Sequence, residues 1–136
     1  MELDRAREFM RSHHRAVLAT TRADGRPQLS PVSVVVDDGG RVLITTRETA
    51  VKTRNLTRNP RAFLCVITDQ YYGDWVQAEG TAEVIHLPDA MEPLVYFWRT
   101  VYGGHPSWDD YRESMIREKR VIIAITLTRA GPDISG

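Results

Sequence analysis

After His14 the apolar residues of this chain stop recurring at helical spacing and begin to alternate. Before that point Leu3, Ala6, Phe9, Met10 and His13 lie on one side of a helix, with charges between them. Beyond it, short runs of β-branched and apolar residues are cut by turn signals, a pattern that only an antiparallel sheet of hairpins satisfies. Arg15–Thr21 reads as a strand, Ala23-Asp24-Gly25-Arg26 as a turn and Leu29–Val36 as a second strand, with Val32, Val34 and Val36 on its apolar face. Asp37-Asp38-Gly39-Gly40 turns the chain into a third strand, Arg41–Thr46. Ala50–Asn59 then reads as a short helix that Pro60 cannot continue.

Two more strands follow, Phe63–Thr68 and Trp75–Leu87, the second holding Gly80 where a bulge or a close backbone approach is expected. Pro88 suits a first helical turn, and Met91, Leu94, Val95, Trp98, Val101 and Tyr102 make one apolar stripe after it. Ser107 can cap a further helix, with Asp109 and Asp110 in its electropositive first turn and Trp108, Tyr111 and Met115 facing inward. Val121–Thr128 is the last strand. The expected fold is mainly β, in the α+β class: a six-stranded antiparallel barrel with peripheral helices. A length of 136 residues supports one core, so a single domain spanning 1–136 is expected, with 130–136 a loose tail.

Composition excludes several function classes. Eighteen basic residues balance eighteen acidic ones, which leaves no overall field to favour nucleic acid or an anionic membrane. The runs Val34–Val36 and Phe63–Ile67 are too short to span a bilayer, and Met1–Arg5 lacks the layout of a signal peptide. A cytoplasmic location follows as the expectation. Cys65 is the only cysteine, so no intrachain disulfide is available, and its apolar strand setting predicts a buried thiol. His13, His14, His86 and His105 show no metal-ligand spacing, and neither a GxGxxG nor a Gly-x-Ser-x-Gly pattern occurs.

Charge is unevenly spread nonetheless. From Arg41 to Arg61 lie Arg41, Arg47, Lys52, Arg54, Arg58 and Arg61 against the single acid Glu48. Within it, Thr45-Thr46-Arg47-Glu48-Thr49 offers hydroxyls and backbone N–H groups directly before a helix start, where unpaired donors and the helix dipole favour an anion. Lys52 in the first helical turn opposes that dipole, a cost that a bound phosphate would reverse. A solvated helix with arginines lying over neighbouring surface explains the same composition. Tyr71, Tyr72 and Trp75 surround a turn, where they either cover it or flank a flat ring.

Taken in order, these segments carry a family pattern. Val17-Leu18-Ala19-Thr20 with Asp24-Gly25-Arg26-Pro27-Gln28-Leu29-Ser30-Pro31-Val32 resembles the opening of the pyridoxamine-phosphate-oxidase-like split β-barrel superfamily. Lys52-Thr53-Arg54-Asn55-Leu56 with Asn59-Pro60-Arg61-Ala62 resembles its phosphate-binding helix and following strand, and Ala78–Glu83 its next strand. His105-Pro106-Ser107-Trp108-Asp109-Asp110-Tyr111 is similar to a segment of the actinobacterial branch that uses the deazaflavin coenzyme F420. The resemblance runs from about Leu3 to Thr128.

The resemblance implies a homodimer with two cofactor sites at its interface. Gln28 and Ser30 would lie beside the ring system or its ribityl chain, and Thr45, Thr46 and Arg47 would supply polar contacts. Lys52 and Arg54 would bind the phosphate, and Trp75 or Tyr72 from the partner subunit would cover the ring. The implied activity is an oxidoreductase that uses coenzyme F420, or alternatively FMN, to transfer hydride to a small conjugated acceptor. A non-catalytic cofactor-binding protein is the other reading. No side chain is singled out as acid or base, and no metal, nucleic acid or membrane partner is expected. Pro31 stands where relatives often carry a polar residue, and the Trp-x-Arg-Leu-x-Pro-type ending of true pyridoxamine phosphate oxidases is missing, which argues against vitamin B6 oxidation.

Overall fold

The turn signals fold as read. In the computed structural model, which describes residues 1–132, Asp37 N–H donates to Arg41 and Gly40 N–H to Asp37, closing the second hairpin turn. Gly40 there has φ +84°, a left-handed conformation that explains the glycine. The elements run α1 (Leu3–Ser12), β1 (Arg15–Thr21), β2 (Pro27–Ser33), β3 (Val35–Val36), β4 (Val42–Arg47), α2 (Val51–Arg58), β5 (Arg61–Ile67), β6 (Trp75–Ile85), α3 (Met91–Tyr102), α4 (Trp108–Arg117) and β7 (Arg120–Gly131).

All seven strands join one curled antiparallel sheet in the order β2-β1-β5-β6-β7-β4-β3. The expected second strand is thus two. Val34 leaves the ladder, donating its N–H to the His14 carbonyl, so residues 27–33 pair with β1 while Val35 and Val36 pair with β4. The two edges of the sheet are therefore consecutive pieces of one chain segment, and the curl is closed covalently at Val34. The last strand also outruns its expected end: Ala130 and Gly131, expected in a loose tail, still pair with β6, and residues 133–136 of that tail lie outside the described residues.

Two apolar layers flank this sheet. Leu18, Val34, Val36, Val42, Ile44, Leu64, Val66, Ile123 and Ile125 fill the concave side, where α1 inserts Ala6 and Met10. The alternate residues Val35, Leu43, Ile122 and Ala124 face the other way, under Leu94, Val95, Phe97, Tyr111 and Met115 of α3 and α4. That double burial explains why residues 121–125 are apolar without alternation. Each such side chain fully withdrawn from water contributes about 1.5–3 kcal/mol. The expected irregularity at Gly80 is present, where the β6–β7 register shifts between Glu79 and Gly80. A Cβ on Gly80 would run into the Thr126 carbonyl oxygen. Ser107 caps α4 as expected, its hydroxyl accepting from Asp110 N–H at 3.2 Å.

Candidate functional site

The helix–sheet layer leaves a cavity of about 330 Å³ between β2, the end of β4, α2 and the α3–α4 pair. Its wall includes Pro31, Val32, Ser33, Thr45, Lys52, Trp98, Tyr111 and Arg120. Lys52 reaches it because α2 starts soon after β4 ends and is tied back to that end, Thr53 Oγ1 donating to the Arg47 carbonyl at 2.7 Å. From there the Lys52 ammonium spans to β2 and donates to Ser30 Oγ at 3.2 Å. Among the described residues no carboxylate lies within ion-pair distance of it. Desolvation, and secondly the Arg120 guanidinium, lower its pKa below the ordinary lysine value.

Strand parity separates the expected threonines. Thr45 shares the outward face of β4 with Leu43 and lines the cavity, whereas Thr46 is 6% exposed and points to the concave side with Val42 and Ile44. Arg47, on the Thr45 face, meets Glu118 at 3.5 Å. Arg54 does not join Lys52: two positions on, it projects about 200° around the helix, into solvent. Gln28 is already engaged, its Oε1 accepting from Thr20 Oγ1 at 3.3 Å, while Asn55 Nδ2 donates to the same hydroxyl at 3.0 Å. Arg58, read as solvated, completes this chain by donating to Asn55 Oδ1 and the Thr21 carbonyl.

Trp75 and Tyr72 lie elsewhere on the molecule. Trp75 begins β6, beside the far end of β7, and lines a separate cavity of about 230 Å³ with Gln77, Glu79 and Arg129. Arg120 begins β7, so along an extended strand the two ends are about 35 Å apart. Tyr72 is 97% exposed, its ring edge-on to Tyr71. Within one chain, then, these aromatics and Lys52 belong to different ends.

Sequence reading did not single out Arg120 or Glu118 and placed Trp98 and Tyr111 only as inward helix positions. Arg120 pairs with Arg47 across β4 and β7, and Glu118 holds it by hydrogen bonds of 2.9 and 3.2 Å. Hydrogen bonding to Arg120 is the main cause that lowers the Glu118 pKa. Tyr111 donates to the Leu94 carbonyl at 2.8 Å, and burial pushes its phenol up to about 12. Trp98 packs against Tyr102, His105 and Tyr111 at ring separations of 4.5–5.2 Å. Two buried polar atoms on the cavity residues have no partner among the described residues: Thr45 Oγ1 and Trp98 Nε1.

The wall is thus rich in donors, with Lys52 uncompensated and orphaned polar atoms beside it. Such a set accepts an oxyanion and fits the phosphate end of a larger ligand.

The fold is shared with solved structures. The chain is similar along its whole length to Rv2991, a conserved hypothetical protein from Mycobacterium tuberculosis (26% identity, 92% of that chain covered, TM-score 0.77). An F420 reductase matches over 87% of this chain and 89% of its own, at 24% identity and TM-score 0.67. HutZ, a heme storage protein from Vibrio cholerae, matches over 96% and 94% at 16% identity and TM-score 0.71. Residues 3–131 match the family model for pyridoxamine 5'-phosphate oxidase. With its helices, its curled sheet and nearly its whole length accounted for by that match, the chain belongs to the pyridoxamine 5'-phosphate oxidase family.

Proposed function

We propose that this protein is a homodimeric oxidoreductase that holds coenzyme F420 with its phosphate in the Lys52 cavity. The observation that carries the reading is a desolvated lysine with no carboxylate partner, reaching Ser30 in a cavity that Thr45 and Arg120 also line. When bound, the deazaflavin supplies hydride for a small conjugated acceptor. The chain's own residues bind, orient and exclude water. Lys52 and Ser30 anchor the phosphate, Thr45 supports it, and Val32, Met115 and the α3–α4 aromatics shield what adjoins it. Tyr111 keeps its proton at neutral pH and is committed to Leu94, so it serves as a wall rather than a base.

A second copy is part of the proposal. The outer face of β2-β1-β5 carries rows of apolar residues in register, Pro31–Val17–Cys65 and Leu29–Ala19–Phe63. Leu29 is 62% exposed and Cys65, expected to be buried, is exposed too. A contiguous apolar sheet face of this kind is characteristic of an interface, and a second copy could bring its Trp75 or Tyr72 over a ring that the first holds by its phosphate. The likeness to an F420 reductase supports this cofactor.

FMN is the second reading, favoured by charge: Lys52, Arg47 and Arg120 against Glu118 alone leave a surplus suited to a phosphate monoester. Titrating the purified protein with each cofactor, followed by absorbance and fluorescence, separates them. Saturable F420 binding and acceptor-dependent oxidation of reduced F420 are expected. Tight FMN binding without F420 binding would replace the first reading by the second, and binding without turnover on a broad acceptor panel would leave a cofactor carrier.

A further inference from the structure

Thr45 and Trp98 come from elements far apart in sequence, a strand end and the middle of α3, yet both residues line the same cavity. Thr45 Oγ1 and Trp98 Nε1 are also the buried side-chain polar atoms that lack a partner among the described residues. Three other buried polar side chains are matched: Thr53 to Arg47, Asn55 to Thr20, Thr20 to Gln28. Orphaned buried groups are costly and rare in folded proteins, so two in one wall call for an explanation.

The neighbouring groups cannot supply one. An indole nitrogen only donates, so Trp98 needs an acceptor. His105 packs on Trp98, but its Nδ1 accepts from Ser107 N–H, which leaves Nε2 as the protonated nitrogen of the neutral ring. The Tyr111 hydroxyl is directed to the Leu94 carbonyl. Across the cavity Lys52 and Arg120 are donors only, and the Ser33 and Thr45 hydroxyls, though able to accept as well as donate, make no hydrogen bond to Trp98 Nε1. The nearest carboxylate in this network, Glu118, is occupied by Arg120 and Arg47. A wall built from donors is completed by a group that offers several acceptor oxygens at once.

We propose that Trp98 Nε1–H and the Thr45 hydroxyl donate to oxygens of the phosphate that Lys52 holds, so that α3 contributes directly to ligand binding. This rests on the reading of Lys52 as the phosphate anchor. It makes Trp98 a binding residue rather than core filling, and it gives the α3–α4 pair a role in ligand choice.

The test uses the full-length protein and whichever of coenzyme F420 or FMN the wild type binds. Trp98→Phe keeps the ring and deletes the N–H; Thr45→Val keeps the shape and deletes the hydroxyl. Each variant is expected to melt, without ligand, no lower than wild type, because the deleted group has no partner to lose. Each should bind the cofactor about ten- to a hundredfold more weakly, the range of a charge-assisted hydrogen bond. Inorganic phosphate should displace the cofactor from wild type and do so better than acetate. A lower melting temperature with unchanged cofactor affinity in both variants would show structural partners for both groups and overturn the proposal. Better displacement by acetate would overturn the assignment to phosphate. Lys52→Ala run alongside separates the two layers: if it weakens binding while both other variants do not, only this inference fails. If Lys52→Ala is itself without effect, the anchor fails and this inference with it.

Discussion

Lys52 combines two properties that rarely coexist, partial desolvation and no counter-charge, and the energetics of the site turn on it. Lys52→Ala should weaken cofactor binding about ten- to a hundredfold, as loss of one charge-assisted contact at about 1.5–3 kcal/mol requires; calorimetric titration measures it. The pH dependence has a definite sign. Burial lowers the folded-state pKa, so between that value and the unfolded lysine value the unfolded chain binds more protons. Stability of the ligand-free protein therefore rises with pH across that window. Anion binding moves the other way: it is intact while Lys52 is charged and falls as pH climbs through the lowered pKa. In Lys52→Arg, whose cation does not titrate in this range, binding measured across alkaline pH should lose that fall. Lys52 was legible in the sequence because six cations against one acid in a short stretch is a local signal. Arg120 was not, because it meets Arg47 only through a β4–β7 pairing between strands far apart in the chain.

The helices α3 and α4 form one wall of the cavity, and the Tyr111–Leu94 hydrogen bond is a buried part of the joint between them. Tyr111→Phe removes it, so a loss of about 1 kcal/mol is expected in denaturant unfolding. Cofactor affinity should drop with it, since Trp98 and Tyr111 share the wall. The β6–β7 bulge is less forgiving. Gly80→Ala sets a Cβ against the Thr126 carbonyl oxygen and Ile125 Cγ2, and backbone cannot swing aside as a side chain can. About 3 kcal/mol of destabilisation, the upper end for overpacking, is expected from the same measurement. These elements were largely readable: the Ser107 cap, the inward Tyr111 and Met115 and the irregular Gly80 are local patterns that the structure retains. The split at Val34 was hidden, because alternation persists through it while the ladder partner changes from β1 to β4.

At the scale of the whole molecule, one sheet face is buried by helices and another is left apolar and open. Val17 sits at the centre of the open face, between Pro31 and Cys65. If the proposed dimer forms through this face, Val17→Asp shifts it to monomer in sedimentation or light scattering and makes Cys65 react faster with a thiol reagent. It should also reduce cofactor binding, if a second copy completes the site. A Val17→Asp protein that stays dimeric would place the interface elsewhere. Among the described residues no helix is long and apolar enough to cross a membrane.

Sequence alone determined what depends on neighbours in the chain: the hairpin turns, the helix cap, the last strand over Val121–Thr128 and the cationic stretch around Lys52. Tertiary structure decided which of those groups meet. Side-chain parity on β4 sent Thr45 to the cavity and Thr46 away from it, and helical rotation separated Arg54 from Lys52. Curling of the sheet left Cys65 on an open face and Trp75 at the opposite end from Arg120. The physical reason is the same in each case. Local preference depends on the next few residues, whereas a binding site is assembled by non-local pairings whose partners a chain pattern does not name.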